Sequence, residues 1–314
     1  MIDSFRISRN RPENAGSGGW ITPRVAVWEP PQEPRSTVRR RVEPLRWAAV
    51  TTTDNTRPGS PDGSLWDPEA IPAATVVVLR DGPDGVEVLM LRRDRDLSFA
   101  GGMWVFPGGR IDTADLQQVE PGLAMPDRRD PVGVAAATPI DPAVMEQASR
   151  IAAVREAHEE AGLVLDVETL RRWSHWTPPP MTPKRFTTAF FVAPLGRASG
   201  EVVIDDGEIR EHRWQKPSEV LAGRDAGHIG LTPPTFITLS QLLPHTTVEQ
   251  VMDSSTEREV EHFATRIEVI DADVIAMYHG DAGYDSGDAT AEGARHRLWM
   301  GARWRYERDG VGDV

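Results

Sequence analysis

The pattern of apolar and polar positions changes near residue 70. Residues 1–68 alternate short apolar pieces with Pro, Arg, Ser and Gly, as in "TTTDNTRPGSPDGS", which is typical of loops and linkers. Beyond that point, "ATVVVLR" and "VEVLMLRR" are β-branched and apolar runs on either side of the turn cluster "DGPDG". This arrangement predicts a β-hairpin, and the following "MWVFPGG" predicts a short strand that ends at its Pro-Gly-Gly.

The strongest helical pattern is "DPAVMEQASRIAAVREAHEEAG". Asp141 is suited to the N-cap, Pro142 to the first helical turn and Gly162 to the position just after the last turn. The stretch before it, "IDTADLQQVEPGLAMPDRRDPVGVAAATP", contains four prolines and no sustained period. It is therefore interpreted as an inserted loop, with the insertion at about 116–140.

The rest of the chain mixes both kinds of element. "RFTTAFFVAPL" predicts a strand and "EIREHRW" a strand or loop, and the predicted helices are "PSEVLAGR", "PPTFITLSQLL" and "TVEQVMDSSTEREVEHF". The tail has strand-like runs in "TRIEVI", "DVIAMY" and "RHRLWMGARWRYE". No regular βαβ repeat is present, so we expect an α/β or α+β protein with a mixed sheet. The predicted divisions are an irregular N-terminal extension (1–68), a main domain (69–245) and a C-terminal extension of helix and strands (246–314).

Charge and composition exclude several classes of function. The net charge is −13, which argues against binding to nucleic-acid polymers, because these require a basic surface. An anionic substrate would need a cation or local basic residues to offset this field. The chain has no cysteine, which excludes disulfides and thiol catalysis. We found neither a long apolar run nor a secretory signal, so we expect a soluble, cytoplasmic protein without membrane contact.

The segment "REAHEEAG" raises the question of chemistry. Successive helical residues are about 100° apart, so Glu156, Glu159 and Glu160 share one face. Close pairs of like charges cost roughly 0.2–0.5 kcal/mol each in an isolated helix, and the C-terminal end of the helix dipole also disfavours anions. A solvated helix end is one interpretation. A hard divalent cation, which prefers oxygen ligands, would reverse these unfavourable interactions and is the other interpretation.

The two stretches "GGRIDTAD" and "REAHEEAGL" together resemble a split Nudix box, whose pattern is G-x5-E-x7-R-E-U-x-E-E-x-G-U with U apolar. Gly109 matches the first glycine, Asp115 stands where the pattern has Glu, and residues 155–163 match the second half. Asp115 and Arg155 are separated by 39 residues instead of seven, an excess of 32. The resemblance covers about residues 70–245 and is strongest to the peroxisomal coenzyme A diphosphatase branch. It implies a Nudix-type α/β/α sandwich with a mixed sheet, flanked by N-terminal and C-terminal extensions.

That resemblance also implies an activity. Nudix enzymes use Mg²⁺ or Mn²⁺ to hydrolyse the P–O–P bond of a nucleoside diphosphate linked to another moiety. It assigns catalysis to Arg155, Glu156, Glu159 and Glu160, with the three glutamates as metal ligands and the carbonyl of Gly109 as a further ligand. Arg155 is expected to pair with a carboxylate of the box. Asp115 is either catalytic or a salt-bridge or loop-capping group.

Other residues are candidates for contacts around this centre. Glu208, in "IDDGEIREHRW", is the chosen accessory acid, with a solvated turn as the alternative. Arg93, Lys184 and Arg185 are candidates for substrate binding, because arginine and lysine bind phosphate; a solvated surface is the alternative for each. Two aromatic side chains could stack on a base or instead belong to the core or to a lid, namely Trp176 and Phe106.

The substrate is left open among several small molecules. Of the bacterial coenzyme A signature, Arg93, Gly102 and the "FPGG" run match, whereas Met90, Asp94 and Ser98 do not. Coenzyme A or acyl-CoA is the first candidate, and ADP-ribose, nucleotide sugars, dinucleotides and oxidised nucleotides are the alternatives. A Nudix module that binds a metabolite or a protein partner without turnover is the alternative of another class. Nudix proteins often dimerise, so the resemblance is compatible with a homodimer.

Overall fold

A mixed eight-stranded sheet forms the centre of the fold. The structure is a computed structural model that describes residues 70–97, 100–126, 140–180, 182, 184–197, 199–204, 207–271 and 273–309. The chain divides into the units Met1–Arg40 and Arg41–Val314, and every described residue belongs to the second unit. The predicted N-terminal extension lies outside the described residues, as do residues 127–139 of the predicted insertion.

The elements follow one another without a regular repeat. The strands of the main sheet are β1 (Ile71–Gly82), β2 (Gly85–Arg93), β3 (Trp104–Val105), β4 (Gly108–Arg110), β5 (Arg171–Thr177), β6 (Phe186–Pro194), β7 (Ile209–Gln215) and β8 (Glu261–Ala264). The helices are α1 (Thr113–Val119), α2 (Pro142–Ala161), α3 (Pro217–Asp225), α4 (Pro233–Leu242) and α5 (Val248–Glu257), with a 3₁₀ turn at Val167–Thr169. A second sheet contains β9 (Arg266–Ile270), β10 (Asp273–Met277), β11 (His296–Met300) and β12 (Trp304–Arg308).

The main sheet combines both strand directions. Its order is β3-β2-β1-β6-β5-β8, with β4 paired to β1 and β7 paired to β2. The predicted hairpin is confirmed, because β1 and β2 are antiparallel with Leu79 opposite Val88. The β1–β6 and β5–β8 pairs are parallel and the other pairs are antiparallel. The expectation of an α/β protein with a mixed sheet is therefore confirmed.

Helices cover both faces of this sheet. Because successive side chains of a strand point to opposite faces, β1 contributes Val76 and Val78 to one core and Val77 and Leu79 to the other. The first core includes the alanines of α2 and Leu116 of α1. The second core includes apolar residues of α3, α4 and α5 and extends to the C-terminal sheet. The result is the expected α/β/α arrangement.

Two stretches depart from the sequence prediction. The start of the presumed irregular segment forms α1, where the backbone N–H of Asp112 donates to Asp115 Oδ2 at 2.8 Å. The last predicted helix ends at Glu257, and its final residues form β8 instead. There the backbone of β5 offers a parallel partner, and Phe263 stacks on Trp176 with ring centroids 4.0 Å apart. This long-range pairing outweighs the local helical preference of the segment.

The C-terminal residues form a separate antiparallel sheet in the order β12-β11-β10-β9. The run "RHRLWMGARWRYE" is two strands of this sheet, with Leu298 opposite Tyr306. A buried ion pair joins Arg297 Nη2 to Asp281 Oδ1 at 2.6 Å. In the described part of the chain, no helix has both the length and the apolar character that crossing a membrane requires.

Helix α2 begins and ends as its sequence predicts. The side chain of Asp141 accepts hydrogen bonds from the backbone N–H groups of Ala143 at 2.8 Å and Val144 at 3.4 Å, and Pro142 opens the first turn. At the other end Gly162 has a φ of 68°, and its N–H donates to the carbonyl of His158 at 2.9 Å. A left-handed conformation of this kind is accessible to glycine at little cost.

We expect the Asp141→Ala substitution to lower the free energy of unfolding by about 1 kcal/mol, because two N–H groups of the first turn lose their acceptor. Urea denaturation followed by circular dichroism measures the change. Asp141→Ser is the matched control, since serine restores a capping oxygen and should keep most of the stability. Equal midpoints for the Ala and Ser variants would contradict the capping role.

Candidate active site

The carboxylate face of α2 lies against the glycine turn that forms β4. A Cβ atom built on Gly109 would lie 2.3 Å from Glu156 Oε1, so any other residue here would displace the Glu156 carboxylate. The backbone N–H of Gly108 donates to Glu160 Oε2 at 3.0 Å. Gly109 thus leaves room for the Glu156 carboxylate beside the strand backbone, and Gly108 binds Glu160.

Glu156 and Glu160 are one helical turn apart, and both are largely removed from solvent. The Glu160 side chain is 8% exposed, and burial raises its pKa to about 8, against the lowering effect of the Gly108 N–H and Arg93. Burial also raises the pKa of Glu156, which the charge of Arg155 opposes. Both carboxylates are therefore held where their own negative charge is unfavourable, a condition that a bound cation relieves.

Arg155 binds several groups at once. Its Nε and Nη2 donate to the two carboxylate oxygens of Asp115 at 3.1 and 3.0 Å, and Nη2 also donates to the carbonyl of Arg110 at 2.9 Å. Its Nη1 donates to Glu156 at 2.8 Å and to Glu159 at 3.0 Å. Burial by itself lowers the pKa of Arg155, but the bonds and charges of Asp115 and Glu156 outweigh this and raise it. The predicted pairing of Arg155 with a box carboxylate is present in the structure.

Asp115 has a supporting position. Its side chain is fully buried and is shared between Arg155 and the backbone N–H of Asp112 at the start of α1. Asp115 does not line the cavity of the helix glutamates. It acts as a salt-bridge and capping group, the alternative to a catalytic role. The shorter aspartate at this box position is accommodated because α1 brings its backbone close to Arg155.

These carboxylates open onto a cavity of about 470 Å³. It brings together the following predicted site residues: Arg93, Gly109, Arg155, Glu156, Glu159, Glu160, Lys184 and Glu208. Glu159 is the most exposed of the three helix glutamates, at 55%. A cavity of this size is sufficient for a small ligand.

Arg93 and Glu208 are held together at the side of the cavity. Arg93 Nη2 donates to Glu208 Oε2 at 2.8 Å, and Arg93 Nη1 lies 3.5 Å from Glu160 Oε1. The sequence suggested Arg93 for substrate binding and Glu208 as an accessory acid. In the structure they form one ion pair that lies beside the Glu160 carboxylate. The pair connects β2 and the start of β7 to α2.

Several other candidates lie elsewhere. Arg185 does not line the cavity, and its Nη2 donates to the carbonyl of Pro178 at 3.4 Å. Trp176 and Phe106 are buried in the core and not available for stacking on a ligand, so their alternative interpretation is the correct one. His158, which was not a candidate, is exposed on α2 and does not line the cavity.

The sequence interpretation missed part of the cavity wall. Phe186 and Thr188 alternate along β6 and both line the cavity, and Lys184 Nζ lies 5.3 Å from the centre of the Phe186 ring. The period of two along "FTTAF" was the available signal. This period predicts a strand but does not predict which residues face the glutamates. That face depends on the pairing of β6 with β1, which is distant in sequence.

The oxygen-rich donor set fits a hard divalent cation. Glu156, Glu159 and Glu160 supply carboxylates, and the absence of a side chain on Gly109 brings the β4 backbone next to Glu156. In the described part of the chain, no three His, Asp or Glu side chains already form a compact metal-binding group. The carboxylates are instead held by Arg155, Arg93 and the Gly108 N–H.

Comparisons with known proteins find matches to Nudix proteins. The family described as "NUDIX domain" matches residues 144–233. Acyl-coenzyme A diphosphatase NUDT19 of Xenopus laevis is 24% identical over an alignment that covers 56% of this chain and 64% of that protein. The human protein of the same name is 28% identical, with 51% and 61% covered. The chain thus spans somewhat under two thirds of the length of these two relatives.

A solved structure was also compared. The crystal structure of a NUDIX hydrolase from Alicyclobacillus acidocaldarius is 25% identical, covers 59% of this chain and 96% of that chain, and has a TM-score of 0.49. Residues 144–233 thus match the Nudix domain, and about half of the chain is similar to proteins named as Nudix-type diphosphatases. The resemblance inferred from the split box, including its relation to the coenzyme A diphosphatase branch, is therefore confirmed.

We expect Asp115→Asn to lower the free energy of unfolding by about 2 kcal/mol or more, because it leaves the partly buried Arg155 without its full counter-charge. Chemical denaturation checks this value. The control is Asp112→Asn, since Asp112 is half exposed and its contact with Arg110 is 3.7 Å long; a surface pair of this kind contributes little. Similar losses of unfolding free energy in both variants would contradict the stabilising role of the bond between Asp115 and Arg155.

Proposed function

We propose that this protein is a Mg²⁺- or Mn²⁺-dependent pyrophosphohydrolase that cleaves the P–O–P bond of a nucleoside diphosphate linked to another moiety. The observation that carries this proposal is the meeting of three α2 glutamates with the glycine turn at one cavity, with basic side chains on the same wall. Hydrolysis adds one water across the anhydride and yields two phosphate monoesters. The reaction needs charge neutralisation on the phosphate oxygens and a positioned water.

In this proposal Glu156, Glu159 and Glu160 hold the cation, with the backbone of Gly109 as a neighbouring oxygen donor. The bound cation neutralises phosphate charge and lowers the pKa of water. The hydrogen bond from Gly108 fixes Glu160, and Arg155 fixes Glu156. Glu159 is held by Arg155 alone among the described residues and is more exposed than the other two, so it has the most freedom to adjust to a ligand.

The basic residues of the wall are proposed to orient the diphosphate. Lys184 and Arg110 both line the cavity, and Arg110 is largely exposed. Arg93 contacts substrate in this proposal only if it exchanges part of its contact with Glu208 or Glu160 for a phosphate oxygen. Glu208 remains the proposed accessory acid, and its bond to Arg93 places its carboxylate beside Glu160.

Coenzyme A or an acyl-CoA is the proposed substrate. The relatives named acyl-coenzyme A diphosphatase support this choice, as do the split box and the "VFPGG" run. ADP-ribose, nucleotide sugars, dinucleotides and oxidised nucleotides contain the same kind of anhydride and are the competing substrates. The proposed partner is thus a small nucleoside diphosphate derivative.

We expect Glu156→Gln and Glu160→Gln to lower kcat by at least about 100-fold, because each removes a charged oxygen from the proposed cation site. Turnover is measured with Mg²⁺ and with Mn²⁺, alongside circular dichroism to confirm folding. His158→Gln is the matched control, since His158 is exposed on the same helix. Wild-type rates in a folded Glu156→Gln variant would refute the assignment of the metal site.

We expect a panel of diphosphate compounds to show Mg²⁺-dependent cleavage that EDTA abolishes. Coenzyme A would give 4′-phosphopantetheine and adenosine 3′,5′-bisphosphate, whereas ADP-ribose would give AMP and ribose 5-phosphate. Chromatography of the products identifies which bond breaks and which substrate has the highest kcat/KM. Preference for ADP-ribose would overturn the coenzyme A choice but keep the reaction class. Tight binding without cleavage of any compound would instead favour a metabolite-binding module.

A further inference from the structure

A second cavity of about 610 Å³ lies where the C-terminal residues meet the edge of the main sheet. It shares no lining residue with the carboxylate cavity. Its walls come from β8 and the residues just before it, the ends of α4 and α5, and the loops and strands of the second sheet. Most of this wall lies beyond residue 233, where the family match ends. Its volume is within the range of small-molecule sites, about 300–1,000 Å³.

Two arginines of this cavity share one glutamate. Arg258 Nη2 lies 2.7 Å from Glu261 Oε2, and Arg308 contacts the other oxygen of the same carboxylate. Among the described residues, Glu261 is the sole ion-pair partner of both arginines. The other acidic residue of the wall, Glu259, is exposed to solvent. One carboxylate thus balances two guanidinium groups, which favours a further anion locally even though the whole chain is acidic.

Arg308 is the group best able to bind that anion. Its contact with Glu261 is made through Nη1, its side chain is 36% exposed, and a guanidinium has five N–H donors. The planar fork of these donors matches a carboxylate or phosphate. Arg258 is more confined, because it also lies over the Trp173 ring at 4.1 Å.

The remaining wall is largely aromatic and polar but uncharged. Phe263, Tyr284 and Tyr306 line it. His296 Nδ1 lies 2.7 Å from the carbonyl of His279, so this nitrogen donates and Nε2 accepts from the Tyr306 hydroxyl at 3.0 Å. Five histidines line the cavity, yet in the described part of the chain no three His, Asp or Glu side chains are grouped as a metal site. The chemistry therefore favours an organic ligand.

We propose that this cavity binds a small organic anion, with a carboxylate or phosphate group paired to Arg308 and Arg258 and an apolar or aromatic body against the half-buried rings of His245 and His262. The site is independent of the proposed hydrolysis, because its groups are separate from the α2 glutamates. The ligand class is defined by the pairing of one anionic group with a body that fits an aromatic wall. Carboxylates and phosphates share this chemistry, and the test separates them.

The test uses calorimetric titration of the full chain with phenyl phosphate, benzoate and the uncharged benzyl alcohol, in EDTA so that no divalent cation recruits anions to the carboxylate cavity. We expect saturable binding of at least one anion and at least tenfold weaker binding of benzyl alcohol. Arg308→Gln should weaken the anion at least about tenfold, the usual effect of losing a charged hydrogen bond. Arg305→Gln is the matched control, because Arg305 lies one residue before Tyr306 on the opposite face of β12.

A second variant keeps the test decisive if Arg308→Gln is unstable. Ser254→Phe fills the cavity from α5 and leaves both arginines in place, so it should also abolish binding. The stronger of phenyl phosphate and benzoate then defines the anionic group. Absence of saturable binding to the wild type refutes the proposal, as does unchanged binding in a folded Ser254→Phe variant. Binding lost in Lys184→Gln but kept in Arg308→Gln would place the probe at the other cavity, which Lys184 lines, and would also refute the proposal.

Discussion

The guanidinium group of Arg155 is the interaction on which the architecture of the site depends. It joins α1, through Asp115, to the end of β4, through the carbonyl of Arg110, and to two glutamates of its own helix. A buried aspartate is tolerable only with such a partner, because an unpaired buried charge is costly. The same cation also reduces the repulsion among carboxylates at the C-terminal end of α2. The acidic helix face can therefore exist in the folded protein before any metal binds.

Charged side chains of opposite sign gather at two separate places on the main sheet. On the face covered by α2, small alanine side chains allow close approach to the sheet, and the glutamates concentrate negative charge beside β4. At the far edge of the sheet, arginines of the C-terminal part share a single glutamate. The molecule thus keeps its carboxylate cluster apart from a pair of arginines that share one glutamate, although its net charge is −13. Net charge alone would not have suggested the pair of arginines.

Short sequence patterns predict correctly those parts of the structure whose partners are close in sequence. Asp141, Pro142 and Gly162 define the limits of α2, and helical periodicity places its three glutamates together. The signals failed where partners are distant in sequence. The strand character of β8 depends on β5, the exclusion of Arg185 from the cavity depends on Pro178, and the burial of Trp176 depends on Phe263. The bridging position of Asp115 depends on Arg155, 40 positions away. The assignment of catalytic roles to individual glutamates stays a prediction.

The bond between Asp115 and Arg155 also has a consequence for how this protein can change. Both sides of the inserted segment are anchored independently, Asp115 by Arg155 and the start of α2 by the cap at Asp141. Doubling the length of a flexible loop costs only about 0.6 kcal/mol, so the connection can lengthen or shorten with little thermodynamic effect on the glutamates. We therefore expect insertions between α1 and α2 to leave the carboxylates in place, which makes this connection a suitable place to graft a peptide tag or a sensor sequence.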